Sequence, residues 1–183
     1  NHLAIHPSNG KLYFPTRDFR AVVIDTVTDQ ILRVIRLHQG SRPTGVDFGG
    51  PNDEAWVNGD GDGSITVIDT RTDQIIDVIE PSVSGAGRTA ASPDGRLAAS
   101  THGPLVTILN TRTREILASL RITPEGNDTG HGFPLFSPDS NTLHVMNEYM
   151  NDMVSFDMRT MQQVGARAPI GGASFGGGVR ILR

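Results

Sequence analysis

Apolar residues in this chain come in short alternating runs, each bounded by Gly, Pro, Asp or Asn, and no stretch carries the 3.6-residue period of an amphipathic helix. The runs fall into sets of four. The first set is His2 to Ile5, Leu12 to Phe14, Val22 to Asp25 and Ile31 to Leu37; the second is Thr44 to Phe48, Glu54 to Val57, Ile65 to Asp69 and Ile75 to Ile79. The third is Arg88 to Ala91, Arg96 to Ser100, Leu105 to Asn110 and Ile116 to Ile122; the fourth is Phe133 to Phe136, Thr142 to Met146, Met153 to Asp157 and Gln162 to Ala166. Rich in Val, Ile and Leu, they predict antiparallel meander strands.

The sets repeat in sequence as well as in pattern. V-V-I-D-T-V-T-D-Q-I-L at Val22 to Leu32 returns at Thr66 to Ile76, at Thr107 to Leu117 and, degraded, at Val154 to Val164. Taking Asp25, Asp69, Asn110 and Asp157 as one position, the steps are 44, 41 and 47 residues. That period with four short strands per unit predicts an all-β fold, a β-propeller of four-stranded antiparallel blades. The units run approximately 1–40, 41–82, 83–123 and 124–170, with the start of a further strand in 171–183, at Gly178 to Leu182. Ser92-Pro93-Asp94-Gly95, Ser137-Pro138-Asp139-Ser140 and the looser His6 to Gly10 read as turns. The recurrent Asp-Thr segments read as hairpin closures, with the Asp or Thr side chain bonding backbone N–H groups two residues on. Asp25, Asp69 and Asp157 are therefore assigned structure, not catalysis.

These units resemble the YVTN-type β-propeller repeats, in a V-x-V-I-D-T-x-T segment (Thr66 to Thr72), a P-x-G-V turn-to-strand junction (Pro43 to Val46), an S-P-D-G turn (Ser92 to Gly95) and a strand end at Trp56-Val57-Asn58. The resemblance covers nearly the whole chain. It implies a secreted, surface-layer or periplasmic setting, and takes in the propeller parts of some periplasmic redox enzymes. Such propellers usually close with about seven blades. Four blades and one strand leave three readings: a ring closed with four blades, protomers that associate by oligomerisation to complete a larger ring, or a fragment of a longer protein that holds the missing blades, of which the fragment is favoured.

Composition removes several function classes. With 16 basic and 20 acidic residues and a net charge of -4, there is no basic stripe for nucleic acid. No apolar run approaches the roughly 20 residues of a membrane-spanning helix. Cysteine is absent, which excludes disulfides, thiolate metal sites and Cys nucleophiles. Lys11, the single lysine, is placed at a turn and is a poor Schiff-base candidate.

Chemistry belongs to the loops on one face of the blades: those leading into the inner strands and those joining second to third strands. Aligned blade to blade, Arg17, Asp60, His102 and Glu148 share one position in the second set, and His2, Gly45, Arg88 and Phe133 share one on the inner strands. Arg17, Arg42, Asp60 and Arg88 are the expected binding face. His131, His102, Glu148 and Asp128 form the candidate metal set, because two imidazoles with carboxylates suit copper, haem iron or another divalent metal. The other reading of these histidines is solvated loop residues flanked by glycine. His144, aligned with Tyr13 and Trp56, is expected between blades; His6 and His38 are expected to be exposed. Asn58 to Ser64 has the carboxylates of a calcium loop without its closing Glu and reads as a hairpin. Gly172 to Gly176 matches G-x-S-x-G but lacks the following helix, and Asn127-Asp128-Thr129 matters only in a eukaryotic secretory setting.

Three functions follow as expectations. The first is a non-enzymatic module of the cell envelope or exterior, periplasmic or extracellular, presenting its loop face to a protein or glycan. The second is a periplasmic oxidoreductase propeller with copper or haem at the central channel. The third is a metal-dependent, lactonase-like hydrolase on the same face.

Overall fold

Each repeat folds as one antiparallel sheet. The structure, a computed structural model, describes residues 2–50, 53–80, 87–128 and 130–170. The first blade is β1 (Ala4–Ile5), β2 (Lys11–Thr16), β3 (Arg20–Asp25) and β4 (Ile31–Arg36); the second is β5 (Pro43–Gly49), β6 (Glu54–Gly59), β7 (Ile65–Asp69) and β8 (Gln74–Ile79). The third is β9 (Thr89–Ala91), β10 (Leu97–His102), β11 (Leu105–Asn110) and β12 (Ile116–Arg121). The fourth is β13 (Gly132–Phe136), β14 (Thr142–Asn147), β15 (Asp152–Asp157) and β16 (Gln162–Gln163), with β17 (Ala168–Pro169) also on β15. Among the described residues there is no helix. The further strand expected at Gly178 to Leu182, the Gly172 to Gly176 motif, Asn1 and Thr129 lie outside the described residues.

The turns show why the sequence repeats. Asp25 Oδ1 accepts the N–H groups of Val27 and Thr28 at 2.8 and 3.1 Å, and Asn110 Oδ1 those of Arg112 and Thr113 at 2.9 and 3.1 Å. Asp157 Oδ1 does the same for Arg159 and Thr160, and Asp69 Oδ1 for Arg71. Each such turn ends in a residue with positive φ, at Asp29, Asp73, Arg114 and Met161, and in the first three blades a β-bulge follows that twists the outer strand. In Ser92-Pro93-Asp94-Gly95 the serine Oγ accepts the Leu97 N–H at 2.9 Å while Gly95 takes φ +72°.

Blades stack through apolar faces. Tyr13, Ala21 and Val23 of the first blade meet Val46, Ala55 and Val57 of the second; Trp56, Ile65 and Val67 meet Ala98 and Leu109 of the third; Ala99, Val106 and Ile108 meet Leu143, Val145 and Phe156 of the fourth. Close approach demands glycine where lead-in loops cross a neighbour: a Cβ on Gly87 would lie 1.6 Å from the Thr101 carbonyl oxygen.

Three details depart from expectation. The outer strand of the fourth blade, expected over Gln162 to Ala166, breaks at Gly165 (φ +69°) and resumes as β17, held by Arg167, which clasps Asp152 at 2.6 and 2.7 Å. His6 is buried, not exposed. It does the turn serine's work, its Nδ1 accepting the N–H groups of Ser8 and Asn9 at 3.3 Å, while its ring meets Phe48 edge-on at 4.8 Å. Lys11 opens a strand and is tied to Asp73 at 2.8 Å and to the Thr70 carbonyl at 2.9 Å.

Candidate functional site

The inner strands β1, β5, β9 and β13 are neighbours in space, and the loops that precede them lie at the same end as the β2–β3, β6–β7, β10–β11 and β14–β15 hairpins. This end carries the candidate residues. The four aligned inner positions form one continuous row. The His2 N–H donates to the Thr44 carbonyl at 2.7 Å, and Arg88 Nη1 donates to the same oxygen at 2.8 Å. Arg88 passes over Gly45, where a Cβ would sit 3.5 Å from its Cδ, and its guanidinium lies 5.4 Å above the centroid of the Phe133 ring. One side chain thus links the second, third and fourth blades. Burial holds the Arg88 guanidinium below its ordinary value, while the charges of Glu148 and Asp60 act in the opposite sense.

Beside this row the fourth blade builds a compact cluster. His131 precedes β13 and Glu148 follows β14; the Glu148 N–H donates to the His131 carbonyl at 3.0 Å, which brings the two side chains together, Nδ1 to Oε2 at 3.0 Å. The imidazole is flanked by the rings of Phe133 at 5.2 Å and Tyr149 at 6.1 Å. Tyr149 is 58% exposed. Asn147 Oδ1 accepts the N–H groups of Tyr149 and Met150 at 3.1 and 3.3 Å, fixing the hairpin that carries both Glu148 and Tyr149.

Of the candidate metal set, His131 and Glu148 are brought together. Asp128 is exposed and paired with Arg121 at 2.6 Å. His102 is fully buried, with neither ring nitrogen hydrogen-bonded, and desolvation drives it down to about 4. The reason is register. His102 is the last residue of β10, paired with Leu105 across a two-residue turn, and so is equivalent to Asn147, not to Glu148. A one-residue offset in a strand reverses the face, turning His102 to the side that carries Ala98, toward the second blade. Among the described residues no three His, Asp or Glu side chains are gathered as a metal would need.

The binding-face residues spread along the same end. Arg17 is exposed in the β2–β3 turn, Arg42 is exposed with φ +45° before β5, and the Asp60 N–H donates to the Arg42 carbonyl at 3.3 Å. Asn58 to Ser64 is a hairpin, in which Asp62 Oδ1 accepts the Ser64 N–H at 2.9 Å and Oδ2 meets the exposed His38 at 2.8 Å. His144 is half-buried on the face of the fourth blade turned away from the third, its Nδ1 2.8 Å from Ser155 Oγ. A surface depression of 360 Å³ lies at the same end of the first blade, between Phe19 and Leu37. Reasoning from sequence places Asn147 to Asp152 among the loops of this face but does not single out Tyr149 or Asn147, although an exposed aromatic residue in a hairpin between two apolar runs is itself a signal.

No protein-family profile matches this chain, and no curated protein matches it by sequence. Its likeness to solved structures is extensive: 1109 chains match, and a fold so widely shared argues architecture, not activity. One is the hydrazine synthase of Kuenenia stuttgartiensis, which superposes with a TM-score of 0.75 at 18% identity over 91% of this chain and 48% of that one. The chain therefore spans about half the length of this structural neighbour. Fold and site together define a β-propeller arc with a polar and aromatic loop face.

Proposed function

We propose that this chain is a non-enzymatic binding module whose loop face, centred on the third and fourth blades, receives a protein or glycan partner. The observation that carries the reading is the His131–Glu148 pair set between the rings of Phe133 and Tyr149, with Tyr149 more than half exposed. A rigid aromatic surface beside oriented donors and acceptors is the composition of a binding hot spot. The Glu148 N–H on the His131 carbonyl and the Tyr149 N–H on Asn147 Oδ1 make the pair preorganised, which lowers the entropy lost on association. The resemblance to YVTN-type repeats supports a periplasmic or extracellular setting. The neighbour's doubled length supports an arc of a larger ring, completed by further blades of a longer protein. The test is to screen glycan and peptide arrays with the wild-type chain and with Tyr149→Ala and Glu148→Gln. Signals that persist unchanged in both variants overturn the reading.

A second reading rests on the same pair. A carboxylate on Nδ1 is the arrangement that orients a metal-binding imidazole, leaving Nε2 for copper, haem iron or another divalent ion, as the redox and hydrolase alternatives require. The described residues offer no further ligand to complete such a centre, so blades beyond this chain would have to supply them. Metal analysis of the purified protein and of His131→Ala decides it: metal retained in full by the variant removes His131 from any centre.

A further inference from the structure

The partly buried arginines of this fold are not used alike. Arg114 clasps Glu54 through both Nη atoms at 2.8 and 2.6 Å, and Arg167 clasps Asp152 through Nε and Nη2 at 2.6 and 2.7 Å. Each thus has a carboxylate on two donors, the geometry that suits a guanidinium best. Arg88 has none. Among the described residues its side chain makes one hydrogen bond, from Nη1 to the Thr44 carbonyl at 2.8 Å, and stacks at 5.4 Å on Phe133. These two contacts fix the plane of the guanidinium, and among the described residues the edge formed by its Nε and Nη2 carries no hydrogen bond.

The surroundings favour filling that edge from outside. A guanidinium withdrawn from water without a carboxylate carries a desolvation cost that a bound anion removes. Gly45 lies packed beneath the side chain, where a Cβ would crowd Asn58 Oδ1 at 2.9 Å, so only glycine lets Arg88 lie across this position. Asn58 Oδ1 is itself buried without a hydrogen-bond partner. The acids Glu148 and Asp60 are near enough to act on Arg88 electrostatically but do not pair with it. They disfavour a dianion more than a monoanion, and a hydrogen-bond donor beside the incoming carboxylate has Glu148 to meet.

We propose that the Nε–Nη2 edge of Arg88 binds a carboxylate of the ligand received on the loop face. This rests on the binding-module reading and names the chemistry that reading leaves open: an acidic residue of a peptide or an acidic sugar of a glycan. Both sources share the carboxylate, and arrays of acidic peptides and of uronate-bearing glycans, each compared with neutral counterparts, distinguish them.

The first test needs no variant. The arginine Nε–H resonances of the isotopically labelled chain are followed while sodium acetate, and separately inorganic phosphate, is added. Arg88 Nε–H is expected to move and saturate with acetate in the millimolar range, several-fold tighter than with phosphate, and acetate is expected to slow phenylglyoxal modification of Arg88. Arg112 and Arg159, exposed in turns at the opposite end of the blades, provide the comparison. An Arg88 shift that stays linear and matches theirs overturns the proposal, as does tighter binding of phosphate. Arg88→Lys keeps the charge and loses the fork; with its folded spectrum intact, it should lose the saturable acetate shift at the Thr44 amide. If acetate fails to bind while array capture still depends on Tyr149, the carboxylate inference falls and the binding module stands. If acetate saturates Arg88 while array capture ignores Tyr149 and Glu148, the binding-module reading falls and the carboxylate site stands alone.

Discussion

Replacing His102 with leucine should abolish a specific part of the acid sensitivity of this fold. The imidazole is fully buried with no hydrogen-bond partner, and desolvation lowers it from 6.5 to about 4. A depressed value means that the unfolded chain binds the proton more readily. Stability from this group is therefore complete above about pH 6.5, falls as pH drops through the interval down to about 4, and is lost below it. Across the interval the shift is worth about 3 kcal/mol, of which about 2 kcal/mol is lost between pH 7 and pH 4.5. The acids behave differently: Asp69 and Asp139, held near 2 by hydrogen bonds from Arg71 and from Ser137 respectively, lose their contribution only as pH falls below the ordinary carboxylate value of 3.8. The two windows barely overlap. Urea unfolding of wild type and His102→Leu at both pH values isolates the term, because all other groups cancel in the difference. At pH 7 the variant should be at least as stable as wild type, since it removes unsatisfied buried nitrogens. At pH 4.5 its advantage should grow by about 2 kcal/mol. An advantage that is the same at both pH values would refute the placement of a neutral, unpartnered imidazole between the second and third blades.

Other outcomes follow from the blade contacts. Arg114→Met leaves the Glu54 carboxylate, 1% exposed, without its cation and should cost about 3–5 kcal/mol in denaturant unfolding. Gly87→Ala drives a Cβ into the Thr101 carbonyl, and thermal unfolding should show a loss of at least about 1–3 kcal/mol. Tyr13→Phe removes the hydroxyl that donates to Asp73, with an expected loss of about 1–2 kcal/mol by the same assay. The face of the first blade turned away from the second presents Ile5 and Val34, 48% and 49% exposed, so the isolated chain should associate in light scattering; a strictly monomeric chain at high concentration would contradict the proposal that further blades cover this face.

What the sequence could disclose followed locality. The Asp and Asn turns are legible because donor and acceptor lie two or three residues apart, and their recurrence exposes the period. The inner row His2, Gly45, Arg88 and Phe133 is legible too, because all four sit a similar distance ahead of the turn that leads into the second strand. His102 is misplaced by one position for a definite reason: its hairpin has two residues where that of Glu148 has four, and alignment through loops of different length slips. The Glu54–Arg114 clasp joins residues 60 apart in neighbouring blades, and Arg88 reaches across two blade seams. Such contacts depend on the rotation between sheets, which no local pattern records. His131 and Glu148 share an end by topology alone, but their pairing depends on the Glu148 N–H reaching the His131 carbonyl.

The central proposal is that the loop face of the third and fourth blades is where this chain binds. It is tested most directly by array capture with three proteins: wild type, Tyr149→Ala, and Arg112→Ala in the turn at the opposite end of the third blade. The account predicts capture that is lost in Tyr149→Ala and unchanged in Arg112→Ala; capture that survives in the first and fails in the second would place binding on the other end of the blades and contradict it.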